Sequence, residues 1–196
     1  MSRQVAHGRG LVPVAYHQFL ISDEDGPAAA DLPAVHNGLL EVTDGEIAVL
    51  TGVSNGDVDV TVTLHATEPV LGDEDWQEIV EISAHSGSGE LMVRAMMDDL
   101  DEELPDLSFN GPGDYRIRVH ARGRDTAVDV TPEQVTEWYL VQAWPASSQG
   151  VTVLRQRDSY GASHRALTHS SVDCLPAHRS SASDGRADML RLRPTW

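Results

Sequence analysis

Asp57 to Ala66 reads DVDVTVTLHA, and this stretch decides the fold class. Val58, Val60, Val62 and Leu64 fall on one face, while Asp57, Asp59, Thr61, Thr63 and His65 fall on the other. Period-two alternation of β-branched residues is the pattern of a strand with one buried face. Tyr115 to Ala121 repeats it, with Tyr115, Ile117, Val119 and Ala121 inward and Arg116, Arg118 and His120 outward. Further strands are expected at Val14–Ile21, Leu39–Val42, Glu46–Thr51, Trp76–Ile82, Leu91–Met96 and Glu137–Trp144. Thr43-Asp44-Gly45 supplies a hairpin signal between the second and third of these, and Pro145 stops the last. About eight short strands with Gly, Pro, Asn and Asp between them predict an all-β, antiparallel β-sandwich.

The composition divides the chain. Residues 1–150 hold 27 Asp and Glu against 7 Arg, a net charge of about −20, whereas residues 151–196 hold 4 against 7, about +3, and there is no Lys. Beyond Pro145 the chain is rich in Ser, Arg, His and Ala. Such a segment offers too little apolar surface to offset its ordering entropy. The expected organisation is an N-terminal arm (1–11), a β-sandwich (12–146) and a poorly structured tail (147–196) whose removal leaves stability nearly unchanged. Two readings fit the tail, a disordered extension or an out-of-frame translation of GC-rich DNA.

The charge excludes several functions. A domain near −20 repels nucleic acid and anionic membranes and favours basic proteins or cations. No run of about 20 apolar residues spells a membrane span. The first ten residues lack the apolar core of a signal peptide, so the expected compartment is the cytoplasm. The single cysteine, Cys174, rules out an intrachain disulfide.

No catalytic constellation forms in the sequence. There is no GxSxG, no HExxH, and the nine histidines are scattered. Ser86-Gly87-Ser88-Gly89 precedes a strand and therefore lacks the helix N-terminus that cradles phosphate. Tyr115, after Gly111-Pro112-Gly113-Asp114, reads as a tyrosine corner. His65 and His120 read as surface residues. Arg116, Arg118, Arg122 and Arg124 are expected to pair with the domain's own acids, each exposed pair contributing about 0–1 kcal/mol. The chain is expected to be no enzyme and to need no cofactor or metal. Three acidic clusters remain: Asp23-Glu24-Asp25, Asp73-Glu74-Asp75, and Asp98, Asp99, Asp101, Glu102 and Glu103. The last is the candidate contact for a basic partner. The alternative is a calcium-stabilised scaffold or adhesion domain, although no cluster matches the spaced calcium loop.

Three segments, Val14-Ala15-Tyr16-His17-Gln18-Phe19, Pro112-Gly113-Asp114-Tyr115 and Trp138-Tyr139-Leu140-Val141-Gln142-Ala143, follow one another in an order and spacing that resembles the competence protein J family, and Asp44-Gly45-Glu46-Ile47 fits the same frame. These are small acidic proteins that inhibit a DNA-entry nuclease. The resemblance covers residues 12–146. It implies a β-sandwich and permits a nuclease-inhibitor role, with no inhibitory residue carried over.

Overall fold

The computed structural model describes residues 3–72, 74–97, 100 and 104–172. The alternating stretches all become strands: β1 (Gln4–Ala15), β2 (Gln18–Asp23), β3 (Val35–His36), β4 (Leu40–Thr43), β5 (Glu46–Leu50), β6 (Asn55–His65), β7 (Glu78–Ser86), β8 (Leu91–Arg94), β9 (Gly113–Arg122), β10 (Trp138–Pro145) and β11 (Thr152–Gln156), followed by one helix, α1 (Ser159–Val172). In place of the expected eight-stranded antiparallel sandwich, the eleven strands form one sheet in the order β11-β7-β9-β10-β6-β1-β2-β5-β4-β3, with β8 also on β2. The sheet curls into a half-barrel. It is mixed, because β10 runs parallel to β6.

The curl is set at one hairpin. Residues 14–21 do not make one strand; Tyr16 and His17 turn the chain back, both left-handed at φ 53° and 64°. After that turn β1 and β2 share only the Ala15–Gln18 pair, whereas β1 pairs with β6 from Gln4 to Ala15. The freed edge of β2 takes β8, and its other edge takes β5. The sheet thus parts into a large half (β11, β7, β9, β10, β6, β1) and a small half (β8, β2, β5, β4, β3).

One core lies between them. Val12, Val58, Val60, Val62, Ile82, Ile117, Val119 and Val141 of the large half are fully buried with Phe19, Ile21, Leu40, Ile47, Val49 and Leu91 of the small half. Phe19 meets Tyr139 edge to face at 5.2 Å, joining the halves through an aromatic contact. At Thr43–Glu46 the hairpin signal holds, with Asp44 (φ 52°) and Gly45 (φ 82°) in the two-residue turn that suits twisted strands.

The two ends of the chain depart from expectation. Residues 4–11 are not an arm but the outer part of β1, held along β6. The tail is structured at least to 172: β11 pairs with β7, and α1 follows. The sequence pattern missed this because β11 is mostly exposed and buries little apolar surface. Its anchorage is the β7 ladder and, beyond it, a set of ion pairs.

Candidate interaction surface

The arginines of β9 locate the protein's own acids. Arg116 and Arg118 leave the outer face of the large half, as their parity predicts, yet each is 2% exposed. Glu81, on β7 opposite Arg118, takes both: Arg118 Nε donates at 2.7 Å and Arg116 Nε at 3.3 Å. Arg118 also donates to the Pro69 carbonyl at 2.9 Å and lies 5.1 Å over Trp144; Arg116 reaches Thr152 Oγ1 at 2.8 Å and the Gln149 carbonyl at 3.2 Å. Arg122 lies over both Trp76 and Trp138, at 5.2 and 5.4 Å. The exposed pairs expected from the sequence are therefore a buried polar layer, covered by Glu68, Pro69 and Trp76 and by residues 149–152. Burial changes their energetics: removing one partner of such a pair costs about 3–5 kcal/mol, against near zero for an exposed one.

The same layer overturns the surface reading of His65 and His120, which are 7% and 3% exposed. His120 Nε2 meets Gln142 Oε1 at 3.1 Å, and Gln142 Nε2 lies 3.5 Å from His65 Nε2. Burial pushes the His120 imidazole down to about 4, against the help of Gln142, and lowers His65 with Arg118 reinforcing it. The tyrosine corner is present: Tyr115 O–H donates to the Gly111 carbonyl at 2.7 Å and accepts from Asn110 N–H at 3.1 Å.

A second ionic cluster ties the C-terminal segment to the sheet. Arg124 is fully buried; it donates through Nε and Nη2 to the two oxygens of Asp158 at 2.7 and 2.9 Å, and through Nη1 to the Gly38 and Leu50 carbonyls. Asp158 also caps α1 by accepting Gly161 N–H at 2.9 Å, while Asp125 accepts from Ser159 and Tyr160 N–H at 3.0 and 2.8 Å. Fully buried Glu78 accepts Arg157 N–H at 2.8 Å and Arg165 Nη1 at 3.1 Å. Burial first, then the neighbouring Asp158, raises its carboxyl above the usual range. Glu137 is likewise raised by burial and accepts from Tyr139 O–H, Val53 N–H and Gly52 N–H. Gly52 is required there: a Cβ would stand 2.0 Å from the Arg124 carbonyl. The sequence signal for this cluster was Asp158 ahead of a Ser-Tyr-Gly helix start, a capping residue that composition alone hides.

What these networks leave over is acid. On the small half Asp25, Asp31, Asp44 and Glu46 are exposed. The 24–31 loop packs on the β4–β5 turn, Ala29 N–H donating to the Gly45 carbonyl at 2.8 Å, so these residues share one end of the sheet. Beside them opens a cleft of about 380 Å³ between β2, β5 and β8, floored by Leu20, Ile21 and Ile47 and rimmed by Glu24, Glu46 and Arg94. Asp23 at its margin is committed inward. Burial opposes its charge, but bonds from Ser86 and Ser88 side chains and from the Ser88 and Asp25 N–H groups outweigh that and hold its carboxyl below the usual range. The Ser86–Gly89 stretch thus serves a carboxylate of its own chain.

Asp98, Asp99, Asp101, Glu102 and Glu103, the sequence-based contact candidates, lie outside the described residues, as does Asp73. The chain enters that segment from Arg94 on the cleft rim through Met96 and Met97, which are 40% and 68% exposed. Among the described residues no three His, Cys, Asp or Glu side chains gather as a metal-binding group, and no helix is long and apolar enough to cross a membrane.

No family model matches the chain, and no curated protein matches it. Two solved structures show a distant similarity of fold. One is ComJ from Bacillus subtilis, described as the inhibitor of the DNA-degrading activity of NucA, with 17% identity and a TM-score of 0.48 over 74% of this chain and 99% of that one. The other is described as crocagin biosynthetic gene J, with 14% identity and a TM-score of 0.45 over 72% of this chain and 99% of that one.

Proposed function

We propose that this protein is an acidic protein-interaction module that binds a basic partner and, where that partner is a nuclease, inhibits it in the cytoplasm; it acts by binding rather than by catalysis. The observation that carries the reading is the disposal of charge. Arg9, Arg94, Arg116, Arg118, Arg124 and Arg165 are each paired with a carboxylate of the same chain. With these six arginines paired internally, the described residues expose carboxylates at Asp25, Asp31, Asp44 and Glu46 among others. A nuclease must present Lys and Arg to phosphates, so an acidic surface fits its substrate side and speeds encounter by electrostatic steering. The sequence resemblance to the competence protein J family supports the nuclease as the partner class.

The test is to add the purified protein to a purified DNA-degrading nuclease from the same cell and follow DNA cleavage at increasing salt. Inhibition that weakens steeply as screening shortens from about 8 Å at physiological ionic strength to about 3 Å at 1 M is the expected result. Full cleavage at saturating protein, with no complex on a sizing column at low salt, removes the reading.

A further inference from the structure

The corner that sets the curl of the sheet is built against its own backbone preferences. Two-residue hairpin turns with both central residues at positive φ favour Asn-Gly or Asp-Gly. The β4–β5 hairpin obeys, with Asp44-Gly45. The β1–β2 hairpin uses Tyr16-His17 at the same two positions. Non-glycine residues with positive φ are uncommon, and a bulky aromatic there is an outlier. Four such residues occur among those described, Tyr16, His17, Asp44 and Asp129, and three of them meet at this corner. His17 Nε2 lies 3.4 Å from Asp129 Oδ1, His17 N–H donates to the Ser54 carbonyl at 3.2 Å, and Ser54 N–H donates to the Val130 carbonyl at 3.1 Å.

His17 has an inward use. Its ring stacks on Tyr160 of α1 at 6.4 Å and its Nδ1 faces the Thr51 carbonyl at 3.3 Å. Tyr16 has none: it stands 72% exposed, beside a loop that also exposes Val128 (40%) and Val130 (51%). Strained backbone clusters at functional sites, and tyrosine is among the residues enriched at binding hot spots.

We propose that Tyr16 is the aromatic anchor through which this protein seats its partner, with Val128 and Val130 as the apolar flank of the same contact. The proposal rests on the reading of the chain as a binder of a basic protein. Charge complementarity selects that occupant, since the exposed carboxylates of Asp57 and Asp129 border the corner. Partner Arg or Lys side chains gain both an ion pair with those acids and a cation–π contact with the ring. The flanking backbone is pinned by the hydrogen bonds above, so the ring is presented with little ordering cost.

The strain gives the anchor a signature that a structural tyrosine lacks. Asn suits the left-handed position, so Tyr16→Asn should leave the melting temperature unchanged or raise it. The same substitution should weaken binding to the nuclease of the cleavage assay by at least about tenfold, with the salt dependence kept, while Tyr16→Phe retains most of the affinity. Wild-type affinity in Tyr16→Asn, or a lowered melting temperature, overturns the anchor while leaving the acidic-binder reading intact. Failure of the wild-type protein to form any complex overturns both.

Discussion

The two halves of the sheet bury the same kind of inner face and treat their outer faces in opposite ways. Over β7, β9 and β10 the chain returns to cover itself, and Arg116, Arg118, Glu81 and His120 become a second, polar interior. Over β2, β5 and β8 the described chain returns only as the loop of Gly26, Pro27 and Ala28 at the cleft's edge. Gln18, Leu20, Ser22, Ala48, Met92 and Arg94 remain part-exposed, and the cleft opens there. The first arrangement spends ionisable groups on stability; the second leaves them for a partner. Outward parity therefore does not mean exposure, and a count of surface charges taken from strand alternation overstates the basic surface of this protein.

The hardest way to break that comparison is to remove the cover. Truncation after Ala146 deletes β11 and α1 together with Asp158 and Arg165, stripping Arg124 and Glu78 of both their ionic partners and the segment packed over them. Losing the two buried ion pairs, the α1 cap and the β11–β7 pairing together removes several kcal/mol, a large share of a domain's stability. The truncated protein should unfold or lose its cooperative transition by circular dichroism, the reverse of what tail composition predicts. An unshifted melting curve would show that the ionic anchorage contributes nothing.

Next in size are single substitutions in the covered layer. Glu81→Gln leaves Arg116 and Arg118 without their shared carboxylate and should cost about 3–5 kcal/mol in urea unfolding. The same change at exposed Glu46 should fall within about 0.5 kcal/mol. Equal effects at the two positions would erase the distinction between the halves.

Between about pH 6.5 and 4, acid should act on the covered half through its buried histidines. His120 is held neutral down to about 4, whereas a histidine of the unfolded chain takes its proton near 6.5. Between those values the unfolded chain binds the additional proton, so stability falls as pH drops from about 6.5 to about 4 and levels off below. The loss from His120 is roughly 3 kcal/mol at most, and the lowered His65 acts in the same direction. His120→Gln should flatten that limb of the stability–pH curve; a limb of unchanged slope would assign the acid sensitivity elsewhere.

The smallest effect on the fold belongs to the open half. Glu24→Gln with Glu46→Gln should leave the melting temperature within a degree or two, since each surface change is worth only a few tenths of a kcal/mol. The pair should nevertheless slow association with the nuclease at low salt, measured by stopped-flow. A change in stability without a change in rate would make this face structural as well.

The sequence determined what depends on neighbours along the chain. Period-two alternation from Val58 to Leu64 and from Tyr115 to Ala121 fixed strands and inner faces, because each side chain's face follows from its parity. Asp44-Gly45 fixed its hairpin, and Gly111 to Tyr115 fixed the corner, because turn chemistry is local. Only the tertiary structure decided which outer faces stay open. The contact of Arg118 with Glu81 spans 37 positions and that of Arg124 with Asp158 spans 34. No periodicity encodes such pairings, and residues 147–172 looked unfoldable because their attachment rests largely on ion pairs, a helix cap and an edge ladder, with few apolar residues such as Val151 and Tyr160. The parallel pairing of β10 with β6 and the Tyr16–His17 turn that opens β2 to β8 were hidden for the same reason: they depend on where distant strands lie, and an aromatic in a left-handed turn contradicts the local rule that would have found it.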